Sequence, residues 1–244
     1  MTKFFLYSDS IYDEVILKGH RIFKTILFYK EFDEITGRYK YLQKIQKMIY
    51  QIENMNRMKK HFIQYQYSLY SEEKLNKLVI EYDFLPTLEM YCMKNNMNKK
   101  ELDQMVIDIL EALNHISFHG DIKPQNIYLK GCHFYLGDVQ FENILSHYDE
   151  KKYSKQEDLK QLKQMIYQLT IKNIYKDICY SVFFKREYRT VKEFKEAYLK
   201  DMNYLFYLCH QDIRSYKREK IFGENEYPIQ KKKDDKIDLS KQRR

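Results

Sequence analysis

Residues Phe118 to Phe141 read FHGDIKPQNIYLKGCHFYLGDVQF. Between His119 and Asn126 this stretch holds an imidazole, a carboxylate, an ammonium and an amide, and a second carboxylate, Asp138, follows the strand-like run CHFYL. The four polar groups fall between a helical pattern and a strand pattern, which places them on a short ordered loop. Such a loop can present Asp121 to accept a hydroxyl proton and Lys123 to neutralise a phosphate. Asn126 and Asp138 offer the hard oxygen ligands that Mg²⁺ prefers and usually shares with substrate phosphates. Positioning and charge neutralisation are most of what phosphoryl transfer asks of a protein.

Outward from this loop the chain changes character. Up to about Tyr82 it mixes short aromatic and β-branched runs with one helical segment. KTILFYKEFDEITGRYKYLQKI is expected to form two strands joined at Thr36-Gly37, since glycine tolerates the positive φ of a tight turn. IQKMIYQIENMNRMKK carries Ile45, Met48, Ile49, Ile52 and Met55 at helical spacing, and KLVIEY suits a buried strand. Beyond Thr87 helices dominate. Leu102, Met105, Val106, Ile109, Leu110 and Leu113 line one face of NKKELDQMVIDILEALNHI. SKQEDLKQLKQMIYQLT starts at the cap-like Ser154 and presents Leu159, Leu162, Ile166 and Leu169, and TVKEFKEAYLKDMNYLFYLC offers a third helix. The expected division is a strand-rich small lobe over 1–82, a helical lobe over 83–221 and a basic, disordered tail over 222–244.

Composition sets the outer limits. The chain has 244 residues, 44% of them hydrophobic, which is enough for a real core. Of the formal charge of +8, the ten Lys/Arg and six Asp/Glu from Lys217 onward contribute +4, so the remainder is ordinary and does not call for nucleic acid. Cys92, Cys132, Cys179 and Cys209 form no C-x-x-C pair, which argues against a zinc site or a disulfide framework. With no signal-like start and no apolar run of membrane-spanning length, the expectation is an intracellular protein, cytoplasmic or nuclear, away from membranes. Oligomeric state is not legible.

HGDIKPQN resembles the catalytic loop of eukaryotic protein kinases, H-R-D-[LI]-K-P-x-N, and LGDVQ is similar to the D-F-G segment of that family. The phrase DIKPQNIYL followed by LGD looks most like NIMA-related Ser/Thr kinases. KLVIEYDFLPTLEMY is similar to the strand and hinge that hold adenine, and QEDLKQLKQMIYQL to a long large-lobe helix. The likeness runs from Ile16 to about Tyr198. It implies an α+β, bilobal kinase-like fold using ATP and Mg²⁺, with a protein as substrate or partner. It also implies Asp121 as base, Lys123 on the γ-phosphate, and Asn126 with Asp138 on the metal. Ile80 becomes the gatekeeper, and the backbone of Glu81, Tyr82 and Asp83, together with Tyr128, faces the nucleotide. Asp158 ties down the catalytic-loop backbone, Arg189 is a structural arginine, and His119 packs beneath the Asp138 segment.

The small lobe departs from that pattern. Gly19 is the only glycine before Gly37, so no glycine-rich loop can cradle phosphates. Aligning FDEITGRYKYLQKI with the family's hairpin puts Gln43 at the ATP-binding lysine, beside Lys44, and Tyr41 at the small alanine next to adenine. A competing register makes Lys30 the lysine and Phe28 the alanine. Gln51 stands at the helix glutamate that should pair with the lysine, and Gln140 at the glycine of D-F-G. Gly120 replaces the arginine that grips a loop phosphate, and no A-P-E motif follows. Two readings compete, a Ser/Thr kinase that has kept its base and metal ligands and a pseudokinase acting as a scaffold or allosteric partner; a third, weaker one is phosphotransfer to a non-protein substrate.

Overall fold

The computed structural model describes residues 12–30, 32–33, 38–145, 153–173 and 182–202. The chain opens with an antiparallel pair, β1 (Glu14–Lys18) and β2 (Arg21–Tyr29). Gly19 and His20 join them, and Gly19 takes φ +64, a conformation that a Cβ would strain. β2 alternates along RIFKTILFY, burying Ile22, Lys24, Ile26 and Phe28 on one face. It pairs with β6 (Leu75–Asp83), which pairs in turn with β5 (Gln66–Ser71), giving a four-stranded sheet in the order β1-β2-β6-β5. On β6, Asn76, Leu78, Ile80 and Tyr82 share the buried face. The run KLVIEY is therefore a half-buried alternating strand, because the sheet is covered on one side only.

The strands expected around Thr36-Gly37 differ from those observed. Two short strands, β3 (Phe32–Asp33) and β4 (Arg38–Tyr39), do pair, and Thr36-Gly37 between them lies outside the described residues. Tyr41, Gln43 and Lys44, however, are helical. They open α1 (Lys40–Met58), which buries Ile45, Met48, Ile52 and Met55 at the predicted spacing. The strand that pairs with β6 is β2, from the β1–β2 hairpin.

The remaining elements are mostly helical. α2 (Leu88–Lys94) is capped by Thr87, whose hydroxyl accepts from Met90 N–H. α3 (Lys99–Asn114) begins with a reciprocal capping box between Asn98 and Glu101 and buries all six predicted apolar residues. A 3-10 turn (Pro124–Asn126) leads into the hairpin of β7 (Ile127–Lys130) and β8 (His133–Leu136), which packs against α3. α4 (Phe141–Leu145) follows Asp138. α5 (Lys155–Asn173) is capped by Ser154 and buries Leu159, Leu162, Ile166 and Leu169. α6 (Val182–Lys185) and α7 (Val191–Ala197), which runs into a π turn (Tyr198–Met202), close the described part. The basic tail, 222–244, lies outside the described residues. No helix among the described residues is long and apolar enough to cross a membrane.

Candidate functional site

The loop between α3 and β7 is held from below. Asp158, on α5, accepts the backbone N–H groups of His119 at 2.6 Å and Gly120 at 2.9 Å, as the sequence suggested. Burial raises the Asp158 pKa, and the two N–H bonds oppose that rise by favouring the carboxylate. His119 is fully buried. Its Nε2–H donates to Gly137 O at 3.0 Å, while Nδ1 accepts from Asp121 N–H at 3.1 Å. A ring that must donate at one nitrogen and accept at the other is neutral, and burial accordingly lowers its pKa. His119 thus braces the catalytic-type loop against the strand that carries Asp138.

Above this brace Asp121, Lys123 and Asn126 come together. Lys123 Nζ lies 2.6 Å from Asp121 Oδ2, and Asn126 Nδ2 donates to the same oxygen at 2.8 Å and to Asp121 O at 2.9 Å. Asp121 and Lys123 keep side-chain exposures of 21% and 46%, so this pair faces solvent. The 3-10 turn explains the arrangement, because Pro124 at its start folds Asn126 back over Asp121.

Asp138 has different company. Its Oδ2 forms a buried ion pair with Lys24 Nζ, and its Oδ1 accepts Tyr65 O–H at 3.1 Å. Tyr65 closes a ring by accepting Asp138 N–H at 2.9 Å. Burial lowers the Lys24 pKa, but the Asp138 charge, Tyr82 and the hydrogen bonds to both together raise it above the ordinary lysine value. The Lys24 ammonium also lies 4.4 Å from the Tyr12 ring centroid and 5.3 Å from that of Tyr82. Lys24 is the cation that sequence reasoning missed. Its signal was the alternation of RIFKTILFY, which puts a lysine on the same face as Ile22, Ile26 and Phe28.

Aromatic rings occupy the space around this pair. Tyr82 stands edge-on to Tyr65 at 5.3 Å and to Tyr128 at 5.8 Å, and the hydroxyls of Tyr82 and Tyr128 are 3.3 Å apart. Burial pushes the Tyr65, Tyr82 and Tyr128 hydroxyls above their ordinary pKa. A Cβ on Gly137 would lie 2.6 Å from Tyr128 Cε2 and 2.8 Å from Tyr65 Oη, so Gly137 is the residue over which both rings close. The backbone of Glu81 to Asp83 is paired with β2 in the register Phe23↔Glu81, Ile22↔Tyr82 and Arg21↔Asp83, and Phe84 N–H donates to His20 O at 2.6 Å. Arg21 also forms ion pairs with Glu81 and Asp83. In this arrangement the residues do not fit Mg·ATP. Both Asp138 oxygens have protein partners, the hinge backbone is taken up by the sheet, and tyrosines pack over Gly137.

The remaining expected positions fall as follows. Ile80 is fully buried opposite Lys24 in the β2–β6 register. Gln43 is exposed on α1, and Lys44 Nζ contacts Leu145 O at 3.4 Å, so neither lies on the strand beside Ile80. The expected strand register is corrected at both candidates, since Lys30 bonds Ser71 Oγ at 3.2 Å and the Glu72 carbonyl at the far end of β2. Gln51 does face the loop after Asp138, and its Nε2 donates to Gln140 Oε1 at 2.7 Å. Gln140, at φ +61, donates from Nε2 to Phe118 O at 3.0 Å. An amide bridge therefore ties α1, through Gln140, to the backbone of Phe118 at the start of the loop. Gly120 has φ +93, with Tyr153 packed 3.2 Å from where its Cβ would be, and Tyr153 stacks on Phe118. Arg189 is exposed, and its neighbour Tyr188 is the buried anchor among Phe183 and Phe194.

No protein-family profile and no curated protein sequence matches the chain. Among solved structures it is similar to the PAN3 pseudokinase of Drosophila melanogaster, with a TM-score of 0.50 and 12% sequence identity. The alignment covers 82% of this chain and 63% of that one, so the chain spans less than two thirds of that structure. At this identity the likeness speaks for the fold, which is protein-kinase-like: a small antiparallel sheet region followed by a helical part.

Proposed function

We propose that the chain is a pseudokinase-type domain that works as a protein-binding scaffold, with its nucleotide cleft closed by its own side chains. One observation carries this reading: both carboxylate oxygens of Asp138, the residue that would hold Mg²⁺, are bound by Lys24 and Tyr65 in a tyrosine-lined, buried site. The amide bridge from Gln51 to Gln140 supports it, because it holds α1 against the loop without the lysine–glutamate pair on which kinase switching depends. Likeness to a structure described as a pseudokinase agrees with it.

The second reading, an ATP- and Mg²⁺-dependent Ser/Thr protein kinase with a NIMA-related type of loop, is favoured by the solvent-facing cluster of Asp121, Lys123 and Asn126. Thermal unfolding with and without Mg·ATP separates the two, since a ligand stabilises the state it binds. The scaffold reading expects no shift at millimolar nucleotide. A Mg²⁺-dependent rise abolished by Asp138→Ala would overturn it, and phosphate transfer lost in Asp121→Asn would establish the kinase.

A further inference from the structure

Four tyrosines meet around the Lys24–Asp138 pair, and three of them are fixed by the surrounding structure. Tyr65 both donates to Asp138 and accepts from it, and Asn56 clamps its backbone, accepting the N–H at 2.8 Å and donating to the carbonyl at 2.6 Å. Tyr82 and Tyr128 belong to β6 and β7 and meet hydroxyl to hydroxyl. The fourth, Tyr12, precedes β1 and reaches the cleft by a different route.

Strand alternation sets Val15 and Leu17 of β1 opposite Lys24 and Ile22 on the buried face, with Glu14 and Ile16 on the other. Continued back to residue 12, that alternation would carry Tyr12 away from Lys24. Instead the chain bends at Asp13, and the Tyr12 ring centroid comes to lie 4.4 Å from the Lys24 ammonium. Exposed Asp13 holds the bend: its N–H donates to Thr25 O at 2.9 Å, and its Oδ2 accepts Leu27 N–H at 2.6 Å. Tyr12 is half-buried as a residue, yet its hydroxyl is sealed from solvent. Its root is therefore at the surface and its tip inside, which is the form of a plug. Burial first, and then the Asp138 charge, raise the pKa of that hydroxyl, so the tip is neutral.

We propose that Tyr12 is a displaceable plug, a tethered aromatic ligand over Lys24 whose place a separate phenol-like ring can take. The proposal rests on the closed-cleft reading and names the side chain that closes the cleft reversibly. A neutral ring suits the position, because its face meets an ammonium that the Tyr82 ring already flanks at 5.3 Å. Any ligand of the ammonium competes with the plug, so its apparent affinity falls with the fraction of time that Tyr12 is in place.

The test reads access to Lys24 in the full chain, by acetic anhydride labelling and mass spectrometry, with exposed Lys18 as the internal reference. Tyr12→Ala should raise the relative labelling rate of Lys24 about tenfold or more, whereas Tyr12→Phe, which keeps the ring, should change it by less than about twofold. Asp13→Ala loosens the bend while leaving Lys24 and the ring intact, and should raise the rate about threefold or more. In Tyr12→Ala, millimolar 4-methylphenol, the missing side chain as a free molecule, should restore protection. In the parent chain it should leave the rate unchanged. An unchanged rate in Tyr12→Ala, equal acceleration in Tyr12→Phe, or no protection by 4-methylphenol would each overturn the plug. So would a Tyr12→Ala chain that no longer folds, which would make Tyr12 part of the core. None of these results touches the closed-cleft reading, which falls instead to Mg·ATP binding by the parent chain.

Discussion

Removing the Lys24 ammonium tests the core of this site. Lys24 and Asp138 have side-chain exposures of 8% and 9%, and Tyr65 covers the second carboxylate oxygen. Lys24→Met keeps the length and apolar stem of the side chain but leaves a buried carboxylate with a neutral hydroxyl as its only side-chain donor among the contacts above. Breaking a buried ion pair from one side costs about 3–5 kcal/mol, because the partner charge stays desolvated. For a chain of this size that corresponds to a fall in melting temperature of about 2–4 °C per kcal/mol. Asp138→Asn should cost a similar amount, since it strands the ammonium, and asparagine tolerates the φ of +57 at this position. In the double variant Lys24→Met/Asp138→Asn neither charge remains, so the two losses should fall short of adding by about 2 kcal/mol or more. The assay is urea unfolding of the four proteins, followed by circular dichroism. If Lys24→Met costs less than about 1 kcal/mol, or if the two changes simply add, the carboxylate is not bound by Lys24 in solution. The reasoning that removes Asp138 from metal binding then fails.

Three further outcomes follow from the same geometry. Gly137→Ala forces a Cβ to within 2.6 Å of Tyr128 and should destabilise the chain by about 1–3 kcal/mol, with Tyr128→Ala in the same chain recovering part of the loss in denaturant titrations. Gly120→Arg, which restores the residue usual in kinases, should also destabilise by about 1–3 kcal/mol, because φ is +93 and Tyr153 fills the space; Gly120→Ala should cost nearly as much, since the conflict is at Cβ. His119 is neutral in the fold with a lowered pKa, so the unfolded chain takes up its proton first as pH falls through about 6.5. Its contribution is present above that value and lost below it. Stability measured from pH 7 to pH 5 should therefore fall less steeply in His119→Gln, by up to one proton.

What the sequence by itself determined is whatever depends on local spacing. Helical periods placed the buried faces of α1, α3 and α5, and the cap Ser154 marked one start, because apolar spacing and capping chemistry act within a few residues. The order His119, Asp121, Lys123, Asn126, Asp138 was legible for the same reason, and the fold places the first four on one braced loop. Lys24 was not legible. The lysine facing Asp138 depends on which strand pairs with β6, a contact between residues 114 positions apart in the chain, and a local turn signal at Thr36-Gly37 pointed to the wrong hairpin. The state of Asp138 was equally hidden: FYLGD reads the same whether the carboxylate awaits a metal or is held by an ammonium and a phenol. Tyr65 precedes β5, Tyr82 lies on β6 and Tyr128 on β7, and only tertiary packing brings the three rings together, with Tyr65 and Tyr128 over Gly137. Sequence spacing can present a charged group, but its partners are chosen by tertiary packing, since burial decides which charges must be paired.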